Sequence, residues 1–284
     1  MTTPIVYFHA GLGKVASTYL QKSVFPALEG IYYLPRDRFR RHHKLIQAAE
    51  YPAYFLSREA GKHLIERLEA FARIYPEARL LLFFRRQDEW IASHYRRYVK
   101  NGGTEPFDRY LDLDHDNGIW KQEQLRYVEL IEQARRIFGR DPFILTYDRL
   151  REDPDEFAQR IATYLDARIN PEKMCTRQVH GSHSPRKLRA VRKLSRILRL
   201  PDPERQNVKR RFHRLRRRLE LIRSHLLLLL AGVLPASWAA DEDLTPGSHM
   251  QRIREHYHSD WDSIVAMEAA QFNSQVANSR GDAQ

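Results

Sequence analysis

The hydrophobic pattern alternates between two periods along the first two thirds of the chain. An apolar, β-branched run from Ile5 breaks at Gly11-Leu12-Gly13, and Ser17-Thr18 then open a helical pattern reaching about Ala27. GIYYLP reads as a short strand, followed by the polar turn DRFRRHHKL. Between Arg58 and Tyr75, Leu64, Leu68, Phe71 and Ala72 recur at helical spacing. ARLLLFF is continuously apolar, as a strand buried on both faces requires, and it stops at Arg85-Arg86. Helices are predicted over about Gln87–Val99, ending at Asn101-Gly102-Gly103, over Lys121–Phe138 and over Asp155–Leu165, with the strand PFILTY between the last two. Strands separated by helices predict an α/β protein: a three-layer, P-loop-like fold around a central parallel sheet. Ligands of such sheets bind outside the carboxyl ends of the strands. The Gly11 turn and Arg85-Arg86 both fall there.

The chemistry of IVYFHAGLGKVASTYL follows from its spacing. Gly11 and Gly13 permit a tight turn that brings backbone N–H groups toward an anion, and the following helix offers unpaired donors at its start. Lys14 adds a mobile positive charge, Ser17 and Thr18 add hydroxyls, and His9 sits beside the turn. The usual nucleoside-triphosphate loop has Ser or Thr directly after its lysine. Here Val15 and Ala16 intervene, which favours a nucleotide carrying something other than a triphosphate.

Composition narrows the partners. The 284 residues include 48 Lys+Arg against 36 Asp+Glu, a net charge of +12, so anionic partners are favoured. The single Cys175 excludes an internal disulfide framework and a multi-cysteine zinc site. A start lacking a basic segment and a long apolar stretch argues against a signal peptide, giving a cytoplasmic expectation. Fifteen Lys/Arg lie between Pro185 and Arg218, where Val208, Phe212, Leu215, Leu219, Ile222 and Leu226 form one helical stripe. LLLLLAGVL, Leu226 to Leu234, is too short to span a bilayer but suits a buried helix or a superficial membrane contact. The composition change divides the chain into a core over 1–184 and a basic helical extension over 185–284. The internal GSHM at 247–250 is read as native sequence.

GLGKVASTYL together with RRQDEWIASHYRRYVKNG resembles the sulfotransferase superfamily that uses 3'-phosphoadenosine 5'-phosphosulfate (PAPS), particularly its bacterial carbohydrate-modifying branch. The resemblance implies that Gly11, Gly13, Lys14, Val15, Ala16, Ser17 and Thr18 hold the 5'-phosphosulfate. It implies that Arg85 and Ser93, eight residues apart, hold the 3'-phosphate. Ala16 departs from a position that is often glycine in that family. FILTYDRLREDPDEFAQRIATYLD, with Tyr147 and Asp148 at the strand end, extends the similarity, as does HGSHSPRKLRA from His180, which resembles a loop that closes over the nucleotide.

The implied reaction is in-line sulfuryl transfer to an acceptor hydroxyl or amine, with Lys14 stabilising the leaving oxygen and 3',5'-diphosphoadenosine (PAP) as product. The acceptor expected is a polysaccharide or glycolipid, with peripheral membrane contact through the basic helix and no nucleic acid partner. His42 and His43 are the favoured general bases, with Glu105, Asp112, Asp114, His115 and Asp116 as alternatives. DLDHD has no clean ligand spacing, and no metal is expected. Two other classes stay open: a P-loop kinase or nucleotide hydrolase, for which Asp148 could organise magnesium, and a non-catalytic polyanion-binding protein.

Overall fold

The computed structural model describes residues 3–48, 50–174, 184–204, 213–240 and 243–281. Among the described residues the strands are β1 Ile5–Gly11, β2 Leu28–Glu29, β3 Tyr32–Leu34, β4 Ala53–Glu59, β5 Arg79–Phe84, β6 Phe143–Thr146 and β7 Arg168–Ile169. The α-helices are α1 Ser17–Tyr19, α2 His42–Gln47, α3 Leu64–Ala72, α4 Gln87–Lys100, α5 Phe107–Tyr110, α6 Tyr127–Phe138, α7 Tyr147–Glu152, α8 Pro154–Tyr164, α9 Pro185–Ile197, α10 His213–Val233, α11 Gly247–His256 and α12 His258–Gly281. Cys175, His180, Val208 and Phe212 lie outside the described residues.

The α/β class is as the pattern predicted. Five parallel strands form one sheet in the order β3-β4-β1-β5-β6, flanked by helices. β1 is central because it is apolar on both faces: residues 6–11 are all buried. From β1 the chain runs out to β3 and β4 on one side, then crosses to β5 and β6 on the other. The winding direction therefore reverses at β1, and its carboxyl end opens the crevice typical of such sheets. β2 and β7 form a separate antiparallel ladder.

Three local expectations need correction. The helix read from Arg58 starts only at Leu64, because Ala53–Glu59 is a strand registered along β1 from Ile5↔Ala53 to Gly11↔Glu59. Its apolar centre spans only Tyr54 to Leu56, so its partners lie in non-local pairing rather than in local periodicity. The segment 17–27 is helical throughout but winds from α into a π turn at Leu20–Val24 and a 3₁₀ turn at Phe25–Ala27, where Pro26 removes a donor. The stretch from Lys121 is a 3₁₀ turn at Gln122–Leu125 before α6 begins.

The chain groups into two compact units, one made of 1–86, 126–179 and 257–284, the other of 87–125 and 180–256. In the first, Phe8 stacks on Phe71 at 4.0 Å and Phe143 on Tyr164 at 4.3 Å. α12 packs on β6 and α6. Its Gln271 accepts from the Ile144 N–H at 2.9 Å and donates to the Pro142 carbonyl, and its buried Glu268 accepts from the Thr146 N–H and hydroxyl, each at 2.9 Å. In the second unit, Trp90, His94, Tyr110 and Trp120 form a buried aromatic group, and Ala190, Val191, Leu227, Ala231 and Ala239 pack α9 against α10.

Candidate functional site

In the first unit, four strand ends place polar chemistry on one edge of the sheet: β1 ends at Gly11, β4 at Glu59, β5 leads into Arg85 and β6 into Tyr147. The loop after β1 is conformationally costly. Gly13, Lys14 and Ala16 have φ of 78°, 60° and 59°, and the two non-glycine residues each give up about 1 kcal/mol or more to sit there. Val15, between them, is buried and anchors the turn. Strain of this kind persists only where the surroundings impose it.

Ala16 is the N-cap of α1 and supplies no side-chain acceptor to the first N–H groups. The Ser17 hydroxyl, in a residue 2% exposed, has no hydrogen-bond partner, whereas Thr18 is exposed. A buried hydroxyl left unpaired costs roughly 1–3 kcal/mol, which a ligand oxygen would recover. A left-handed loop, a lysine and an orphaned hydroxyl fit a phosphate or sulfate group.

Glu59 belongs to this loop. A Cβ built on Gly13 would lie 3.3 Å from the Glu59 carboxyl carbon and 3.5 Å from one of its oxygens, a tight contact beside a φ of 78° that itself favours glycine. The pattern concealed Glu59 because β4 itself went unread; the signal available was a charge closing a short apolar run. Beneath the loop, His9 is buried, its Nδ1 lies 2.7 Å from Ser57 Oγ, and Gln21 donates to the same oxygen at 3.0 Å. Burial pushes the His9 pKa down to about 3 and keeps the ring neutral. Its Nε2 has no partner.

Arg85 is half-buried, with its guanidinium 4.4 Å from the Tyr147 ring centroid and its carbonyl accepting from the Tyr127 hydroxyl at 2.9 Å. The ring and the guanidinium attract each other, and a guanidinium fork at a strand end matches the geometry of an oxyanion. Arg86 and Asp148 are half-buried nearby in sequence at the same strand ends.

His42 begins α2, with Nδ1 2.6 Å from the Phe39 carbonyl. A carbonyl can only accept, so Nδ1 carries the proton and Nε2 holds a lone pair without a partner. Desolvation lowers its pKa, with the charges of His43 and Arg58 adding to that and the Phe39 carbonyl opposing it. The ring stacks on Phe39 at 4.9 Å, and Arg58, the residue before Glu59, lies 4.8 Å over the same Phe39 ring. His43 is exposed, 3.4 Å from Gln47.

Ser93 lies half-buried on α4, in the second unit. The alternative carboxylates are in that unit too. Asp112 accepts the N–H groups of Asp114, His115 and Asn117, which hold its carboxyl below the usual range against some desolvation. Asp116 accepts from the Gln122 N–H, Asp114 pairs with Arg252, and Glu105 meets Tyr95 and Tyr98 through its backbone. A cavity of about 220 Å³ lies against this loop, lined among others by Asp108, Arg109, His249 and Arg252. Among the described residues, no group of three or more His, Cys, Asp or Glu side chains is placed to hold a metal ion.

No family model matches the chain. No curated protein matches it either. Among solved structures it is similar to a sulfotransferase from Alicyclobacillus acidocaldarius, at 14% identity and a TM-score of 0.48, over 72% of this chain and 100% of that one.

Proposed function

We propose that this chain is a PAPS-dependent sulfotransferase acting on a hydroxyl or amine of a polysaccharide or glycolipid. The observation that carries this reading is the loop from Gly11 to Thr18, set at the carboxyl end of the central strand with two non-glycine left-handed residues and a buried, unpartnered Ser17 hydroxyl. The spacing Lys14-Val15-Ala16-Ser17-Thr18, and Arg85 with Ser93, supply the resemblance to the PAPS motifs.

In this reading the acceptor oxygen or nitrogen bonds to sulfur as the bond from sulfur to the 5'-phosphate oxygen breaks, and PAP leaves. Lys14 offsets charge growing on that oxygen, and Ser17 and Thr18 orient the donor. Arg85 holds the 3'-phosphate through a charge-assisted fork. The acceptor proton goes to His42 Nε2, whose lone pair the Phe39 carbonyl leaves available, or to the Glu59 carboxylate beside Gly13. Glu59 also serves the competing class, because a carboxylate at a strand end beside a phosphate loop can organise magnesium.

Calorimetry with PAP and with ATP plus magnesium separates the two. PAP binding without magnesium is expected, and preference for magnesium-ATP would overturn the assignment. Arg85→Ala should weaken PAP binding by roughly ten- to a hundred-fold, whereas Lys14→Ala should lower turnover by about a hundred-fold or more. Of His42→Asn and Glu59→Gln, the one that abolishes transfer while sparing PAP affinity identifies the base. Small, equal effects from Lys14→Ala and Arg85→Ala contradict their roles.

A further inference from the structure

The second unit carries an exposed apolar stripe that its own packing does not use. α10 buries Ser224, Leu227 and Ala231 on one side. On another face, Leu219, Ile222, Leu226, Leu229, Leu230 and Val233 recur at three- and four-residue steps, and each is at least half exposed, up to 68% at Leu229 and 82% at Val233. The stripe covers about 100° of the helix and runs about 21 Å along it, with no charged residue inside. Six contiguous solvent-facing aliphatic side chains exceed the scattered exposure normal for a surface.

The charges of the same helix indicate what covers it. α10 opens HRLRRR and contains five arginines against one glutamate. That charge balance favours an anionic partner. A second copy of this chain is disfavoured, because two chains of net charge +12, with fifteen Lys/Arg and two Asp/Glu in Pro185 to Arg218 alone, repel each other. A polyanionic glycan would satisfy the arginines and leave the aliphatic stripe in water. No described helix is long and apolar enough to cross a membrane.

We infer that α10 lies in the plane of an anionic lipid bilayer, its aliphatic stripe in the acyl boundary and its net positive charge drawn to the headgroups. This surface is independent of the reaction proposed above.

The test is co-sedimentation of the full chain with vesicles of phosphatidylcholine alone or with about 30% phosphatidylserine, at ~150 mM salt. The wild type should bind the anionic vesicles and not the neutral ones. The double variant Ile222→Glu/Leu229→Glu should bind at least roughly ten-fold more weakly with an unchanged thermal midpoint. Val233→Glu, at the most exposed position, repeats the test if the pair perturbs folding. Absent vesicle binding by the wild type overturns the inference, as does binding that the variants leave unchanged. A concentration-dependent dimer that the double variant dissolves, without vesicle binding, assigns the stripe to a second copy instead.

Discussion

Ala16 shows how much one methyl group reports. At φ 59° its Cβ costs about 1–2 kcal/mol, and Ala16→Gly would remove that while adding roughly 0.4–1 kcal/mol of unfolded-chain entropy. A net stabilisation of about 0.5 kcal/mol is expected in urea unfolding, and a loss beyond about 1 kcal/mol would show that the methyl packs productively. His9 makes a second residue-level prediction. Its folded pKa is about 3 against an ordinary value near 6.5, so the unfolded chain takes up the proton first as pH falls. Its contribution is intact above about pH 6.5 and declines toward pH 3 by up to about 1.4 kcal/mol per unit. Urea titrations at pH 7.5 and 5 should show this slope, and His9→Asn should flatten it. The residue types of the loop were legible because glycine, lysine and hydroxyl spacing is a local signal. The left-handed turn at Ala16, the orphaned Ser17 hydroxyl and the carboxylate of Glu59 over Gly13 were not, since each depends on what the rest of the fold brings near.

At the scale of elements, α6 begins without a cap of its own. Its N-cap, Arg126, makes no side-chain capping hydrogen bond, and the N–H groups of Tyr127 and Val128 are met by Asp260 at 2.9 and 3.0 Å from more than 130 residues away. Asp260→Ala should cost about 1–2 kcal/mol, measured by chemical unfolding, while Asp260→Asn should recover part of it. No reading of α6 alone could reveal this, because the capping residue belongs to another helix. β5 and β6 were legible as uninterrupted apolar runs bounded by charge or turn residues. β4 was not, because three consecutive apolar residues carry too little pattern and its identity comes from registration against β1 and β3.

For the molecule as a whole, each compact unit is assembled from segments distant in sequence, and the first is completed only by residues 257–284. Removing that segment deletes Asp260, Glu268 and Gln271 at once and should abolish the cooperative thermal transition seen in the full chain; a truncated chain that still melts sharply would show that β1 to β6 suffice. Glu268→Ala is the milder version, expected to cost about 1–3 kcal/mol because the Thr146 N–H stays buried without its acceptor. The same two side chains have a further consequence. β6 is an outermost strand, and on its free side Gln271 and Glu268, one helical turn apart, stand where the carbonyls of a sixth strand would be. An incoming extended peptide would find those donors already taken, so this border of the sheet resists templating a neighbour, and the chain is shielded there from the strand-by-strand stacking that leads to aggregates.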